Sequence, residues 1–124
     1  MSSVDSSQAE PPGGQTVSVT VEKHGRAAVV MVSGDIDMVT APEFEKALIA
    51  ALRDKPEALV VDLTGVAFLG SAGLTALVAA RQEAGEGTAL RVVAKSSATA
   101  RPLQLTGLDQ EIPLYSTREE ALGA

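Results

Sequence analysis

The sequence predicts an α/β domain, a mixed sheet of four or five strands packed by about four helices. Three observations predict it. Short β-type runs alternate with segments of helical spacing, the order expected when parallel strands are joined by crossover helices. The first two runs are separated only by a turn, which calls for an antiparallel pair and makes the sheet mixed. A length of 124 residues suits a single domain that buries about two-thirds of its unfolded surface.

Residues 1–15 (MSSVDSSQAEPPGGQ) are Ser, Pro, Gly and acid with almost no apolar content. Burial cannot offset the entropy of ordering them, so a disordered tail is expected, with the domain at 16–124. Val17, Val19 and Val21 alternate with polar residues, the period of a half-buried strand. His24-Gly25 reads as a turn, and Ala27 to Val32 as the returning strand, closed by Ser33-Gly34-Asp35. Thr40-Ala41-Pro42-Glu43 is a helix start, with Thr40 as cap and Pro42 in the first turn. Phe44, Ala47, Leu48, Ala51 and Leu52 then share one helical face until Lys55-Pro56.

Ala58 to Leu63 is nearly continuously apolar, the mark of a central strand. Thr64 to Gly70 reads as a loop. Leu74, Leu77, Val78 and Arg81 follow with helical spacing, Ser71 as cap and Gly85 and Gly87 as terminators. Ala89 to Ala94 is a further strand. Ser97 opens a helix carrying Ala100, Leu103 and Leu105. Ile112 to Tyr115 is a last short strand, and Thr117 with Glu120 forms a capping box for a terminal helix. With the helices stacked on one face, the other face is left to the N-terminal strand or to solvent.

Composition narrows the function. There is no cysteine and one histidine, His24, which excludes disulfides, thiol chemistry and a histidine-built metal site. A net charge of −6 disfavours binding to nucleic acid phosphates. No apolar run approaches the ~20 residues of a membrane helix, and no basic-then-apolar leader opens the chain. The reading is a cytoplasmic protein with no enzyme activity, no cofactor, no metal and no membrane or nucleic acid partner; a homodimer is left open.

The segment Val60-Val-Asp-Leu-Thr-Gly-Val-Ala-Phe-Leu-Gly-Ser-Ala-Gly-Leu74 resembles the signature of STAS domains, the sulfate transporter and anti-sigma factor antagonist (SpoIIAA-like) fold. Gly34-Asp35-Ile36-Asp37 resembles the family's Gly-Glu-Leu-Asp segment, and Leu105-Thr106-Gly107-Leu108 its Leu-x-Gly-Leu segment. The resemblance covers about residues 16–122 and is nearest to actinobacterial, mycobacterial-type anti-anti-sigma factors. It implies an anti-sigma factor antagonist in sigma factor and stress-response control. The partner implied is an anti-sigma factor of the protein kinase type, whose phosphorylation of a serine releases the antagonist; a phosphatase resets it. The modified serine maps onto Ser71. The family's acid before that serine is Gly70 here and its second serine is Ala72, so any acidic assistance to phosphorylation has to come from elsewhere. Asp62 is the candidate if the fold brings it near. The other function consistent with these departures is a constitutive STAS binding module, never phosphorylated, in another signalling or transport complex.

Read from the residues alone, Ser71 is a helix cap that also tolerates an anion, because free N–H groups at a helix start favour negative charge. Gly70 and Gly73 either let a partner approach or serve turn geometry and packing. Gly65 with Gly70-Ser71 lacks the lysine of a phosphate-binding loop. Gly70-Ser71-Ala72-Gly73 has Leu69 where a nucleophile elbow needs glycine. Asp35 and Asp37 lack a third ligand for a metal and read as a solvated or partner-facing loop. Ser96-Ser97 reads as capping and His24 as an exposed turn residue. The expected docking surface is an acidic patch on two loops, drawing on Asp35, Asp37, Met38 and Thr40 from the first and Leu69, Gly70, Ala72, Gly73 and Leu74 from the second.

Overall fold

The computed structural model describes residues 17–124. The tail expected at 1–15 lies outside the described residues. The chain runs β1 (Val17–His24), β2 (Ala27–Ile36), α1 (Ala41–Arg53), β3 (Ala58–Leu69), α2 (Ser71–Ala84), β4 (Ala89–Val93), α3 (Ser97–Leu105), a 3-10 turn (Leu108–Gln110), β5 (Leu114–Tyr115) and α4 (Arg118–Gly123). This is the expected order with one addition, the 3-10 turn. The five strands lie in sequence order across one sheet. Only β1 and β2 are antiparallel; every later pair is parallel. The hairpin turn is Gly25-Arg26, with Gly25 at φ +63, a conformation glycine adopts without steric cost.

Parallel crossovers that step the same way across a sheet place their helices on one face. Phe44 and Leu48 of α1, Ala76, Leu77 and Ala80 of α2 and Leu103 of α3 accordingly share one core with Val30, Val32, Leu59, Val61, Leu63 and Val92. The buried face of α2 is Gly73, Ala76, Leu77, Ala80 and Ala84. Small side chains there let the helix lie close to the sheet; Val78, expected on that face, is 38% exposed. The opposite face is not left to solvent. The terminal helix α4 crosses it and sets Ala121 on Val29, Val60 and Val93.

Both central strands run further than the sequence pattern indicates. β2 continues through Ser33-Gly34-Asp35 to Ile36, and β3 continues through the expected loop to Leu69. The cause is a pair of irregularities in their pairing. Met31 faces Asp62 but Ser33 faces Gly65, and Gly34 faces Val66 but Asp35 faces Phe68. Each step puts one extra residue on β3, which is what a β-bulge does. The inward residues of β3 are therefore Leu59, Val61 and Leu63, then Val66, then Leu69.

Capping also departs from expectation. Gly70, in extended backbone (φ −89, ψ 179), is the N-cap of α2, so Ser71 is its first helical residue and makes no side-chain cap bond. Ser96 rather than Ser97 precedes α3, again without a side-chain cap bond. Thr117 caps α4 as expected, its Oγ1 accepting from the Glu120 amide at 3.1 Å, and Glu120 accepts in turn from the Ser116 amide at 3.1 Å.

Candidate functional site

The two bulges bring the ends of β2 and β3 level, Ile36 beside Leu69, and the Gly70 amide donates to the Ile36 carbonyl at 2.9 Å. The loop entering α1 and the first turn of α2 therefore emerge side by side at the carboxyl ends of two parallel strands. That edge is where open α/β sheets habitually bind.

The first loop is built around Asp37. Its Oδ1 accepts from the amides of Val39 at 2.9 Å and Thr40 at 3.1 Å. The Asp37 amide donates to Thr40 Oγ1 at 2.9 Å, and that hydroxyl donates to the Asp35 carbonyl at 2.7 Å. Thr40 is the N-cap residue of α1 as expected, but its side chain makes no cap bond: the hydroxyl is turned back into the loop, and its own backbone is helical (φ −95, ψ −18). With Asp37 folded inward, Met38 and Val39 are forced outward and stand 83% and 67% exposed. Asp35 is half-buried and its carbonyl holds Thr40.

On the second segment Ser71 is exposed and Ala72 half-buried. Gly70 underlies an aromatic ring: a Cβ there would lie 3.0 Å from Phe68 Cε2. Gly73 is buried, and a Cβ would meet Leu69 Cδ1 at 2.6 Å and Ile36 Cγ2 at 2.7 Å. Its glycine is thus required by close packing of α2 on the strand ends. Phe68, beside Ser71, is 52% exposed.

Asp37, Met38, Val39, Phe68, Gly70, Ser71 and Ala72 line one shallow depression. Among the residues expected at a docking surface, Asp37, Met38, Gly70 and Ala72 thus gather around Ser71. Thr40, Leu69 and Gly73 are buried, and Leu74 packs against the core, so these four shape the surface from beneath. The depression is mainly apolar instead of acidic, because Met38, Val39, Phe68 and Ala72 line it, while one oxygen of Asp37 is engaged by the loop's own amides. Two residues escaped the sequence reading, Val39 and Phe68. Phe68 falls in the segment from Thr64 to Gly70 that the sequence reading takes as a loop. The one available signal was its place three residues before Ser71, on a stretch where strict alternation fails.

Asp62 is not near enough in direction to help Ser71. It points to the α4 face, where its carboxylate pairs with Arg118 Nε at 2.9 Å and accepts from the Thr64 amide at 2.9 Å. His24 is at the opposite end of the sheet, in the strand end next to Gly25, and pairs with Glu22 at 3.1 Å. No base therefore faces Ser71 from that histidine. Among the described residues, no group of three or more His, Asp or Glu side chains could hold a metal ion, and no helix is long and apolar enough to cross a membrane.

A five-stranded mixed sheet in this order, with an apolar depression at a bulged strand end and a serine opening the next helix, defines a small α/β domain. The chain belongs to the STAS domain family, whose model matches residues 18–121. The anti-sigma-F factor antagonist RsfB of Mycobacterium tuberculosis is 43% identical over 107 residues, covering 86% of this chain and 88% of that protein. The crystal structure of an anti-sigma factor antagonist from Mycobacterium paratuberculosis superposes with a TM-score of 0.85 at 48% identity, covering 92% of this chain and 96% of that one. The anti-sigma factor antagonist SpoIIAA in its unphosphorylated form shares the fold, with a TM-score of 0.70 at 17% identity over 85% of this chain and 93% of that one. The family read from the Val60–Leu74 segment, and its mycobacterial character, are those found.

Proposed function

We propose that this chain is an anti-sigma factor antagonist: it binds an anti-sigma factor through the surface around Met38, Val39, Phe68, Ser71 and Ala72, and so frees the sigma factor. The observation that carries the reading is the exposed apolar trio beside an exposed serine at a helix start. Contiguous exposed apolar side chains mark interaction sites, and relatives with this fold at over 40% identity are antagonists of anti-sigma factors. In this reading the anti-sigma factor is also the kinase that phosphorylates Ser71, the modified chain is released, and a phosphatase restores it. The protein acts as a regulator and not as an enzyme, in the cytoplasm where its partner works.

The test is phosphorylation by the cognate anti-sigma kinase with ATP, read by mass spectrometry, alongside titration of the unmodified and modified chains against that kinase. Label on Ser71 with loss of binding is expected. Ser71→Glu should weaken binding by on the order of a hundredfold, since an unpaired carboxylate desolvated at an interface costs about 3 kcal/mol. Ser71→Ala should bind as the parent does.

Gly70 and Ala72, in place of the family's acid and second serine, favour one other reading, a constitutive STAS module. No label on Ser71 by an active cognate kinase would select that module, in another signalling or transport complex.

A further inference from the structure

Asp62 is the one buried carboxylate among the described residues, and the docking surface makes no use of it. Its side chain is 5% exposed and is held from two sides, by Arg118 Nε at 2.9 Å and by the Thr64 amide at 2.9 Å. Arg118 also donates to Met31 Sδ at 3.4 Å. Met31 and Asp62 are the last regular pair before the first bulge, and Thr64 lies within it. One guanidinium thus bridges β2 and β3 where their register breaks. Arg118 is the first residue of α4, whose other end is held by Ala121 on three valines and by Arg91, which donates to the Ala121 carbonyl at 2.9 Å.

The bulge sets the phase of everything that follows on β3. With the two bulges, Val66 and then Leu69 point into the core; strict alternation from Leu63 would turn Gly65 and Ala67 inward before Leu69 and leave Val66 outside. Gly65 suits the break, since a Cβ there would lie 2.8 Å from Ser33 Cβ.

We propose that Asp62 and Arg118 are positioning residues that couple the seating of α4 on the back of the sheet to the shape of the docking surface. Seated α4 presents Arg118, Arg118 fixes Asp62, Asp62 holds the Thr64 amide, and the bulge so held aims Phe68 and the start of α2. Release of α4 loosens the segment from Thr64 to Ser71 and lowers partner affinity. The affinity part rests on the proposed function; the coupling within the domain does not.

Amide hydrogen exchange on the full chain tests the coupling, and titration with the anti-sigma factor tests its consequence. In Arg118→Gln, amides from Thr64 to Ser71 should exchange about tenfold faster while those of Val60, Val61 and Leu77 keep parental rates. Partner Kd should rise by about tenfold. Asp62→Asn keeps an acceptor for Thr64 and should show less than Asp62→Ala. Arg91→Gln frays α4 at its far end, so it should speed exchange at Ala121 and Leu122 and, to a smaller degree, from Thr64 to Ser71. Uniform acceleration across the domain would reduce the pair to general stabilisation and overturn the coupling. So would frayed α4 amides in Arg91→Gln with unchanged exchange from Thr64 to Ser71. Failure of the unaltered chain to bind an anti-sigma factor would instead overturn the proposed function, and the exchange result would still decide the coupling.

Discussion

Replacing Phe68 by alanine should separate binding from folding at the proposed docking surface. Fully burying a phenylalanine side chain is worth about 3 kcal/mol. The ring is 52% exposed, so about half of that, ~1.5 kcal/mol, remains for a partner to gain, or about tenfold in Kd. The other half is already realised within the domain, where the ring lies over Gly70, so Phe68→Ala should also cost about 1.5 kcal/mol of stability. Met38 supplies the control. At 83% exposure it contributes little to the fold, so Met38→Ser should leave the melting temperature nearly unchanged while removing about 1.5–2 kcal/mol of binding. Together the two should weaken binding on the order of a hundredfold if their contributions add, and somewhat less if they share a pocket on the partner. Calorimetric titration against the anti-sigma factor, with thermal unfolding of each variant, gives both quantities. Binding within twofold of the parent for both single variants, with the fold intact, would refute the assignment of this surface.

Other substitutions test the scaffold beneath. Gly73→Ala should destabilise the domain by up to about 2 kcal/mol in denaturant titration: the added methyl meets Leu69 and Ile36 at 2.6 and 2.7 Å, and overpacking costs about 1–3 kcal/mol against about 1 gained in helix propensity. Asp37→Ala leaves the Val39 and Thr40 amides without their acceptor, so stability should fall by about 1–2 kcal/mol and Met38 amide exchange should quicken. Gly70→Asp fits the extended backbone of the N-cap and faces a ring that is free to swing; it should raise the melting temperature by about 1–4 °C through capping and the helix dipole, and it should speed labelling of Ser71 if acidic assistance is limiting.

Most of the fold was legible because most of its elements obey a single period. β1 alternates, α1 carries its apolar stripe on one face, and the run from Ala58 to Leu63 has the continuous character of a strand covered on both sides. Legibility fails where two periods meet. Leu63, Val66 and Leu69 are spaced by three, which is neither strand alternation nor a sustained helix, and the segment reads as a loop. The spacing is the trace of two bulges, and a bulge depends on the partner strand, which no local pattern reports. The same limit applies to the site. Ser71 and its glycines were picked out through the motif, but Phe68 is one more residue of an apparent loop until the strand end is placed. Asp37 reads as surface acid until its carboxylate is seen to accept two amides of its own loop. The role of α4 was likewise hidden, since six residues at a chain end carry no sign of the sheet face they cover.

The position of Ser71 decides how a phosphate there would act. As first residue of a 14-residue helix it stands among N–H groups that precede the first helical bonds, and these favour negative charge by about 0.3–1 kcal/mol near a surface. A phosphate brings about −1.5 to −2 charges, so the domain's own response to it is mild stabilisation at that helix end. Unfolding is therefore the wrong place to look for the switch. The neighbours whose energetics would change are Met38, Val39 and Phe68: in the proposed interface their burial would drive association only while water can be expelled from the depression they share with Ser71. A dianion in that depression must be desolvated along with them, at a cost of several kcal/mol unless the partner supplies matching cations. That cost is of the same order as the apolar gain of the three side chains together, about 4.5–6 kcal/mol, so it cancels most of it. The phosphorylated chain should thus keep its melting temperature to within a few degrees, or gain slightly, while losing its partner. A modified chain that melts well below the unmodified one would show that the phosphate disrupts the domain itself, and the switch would have to be rebuilt on folding rather than on the interface.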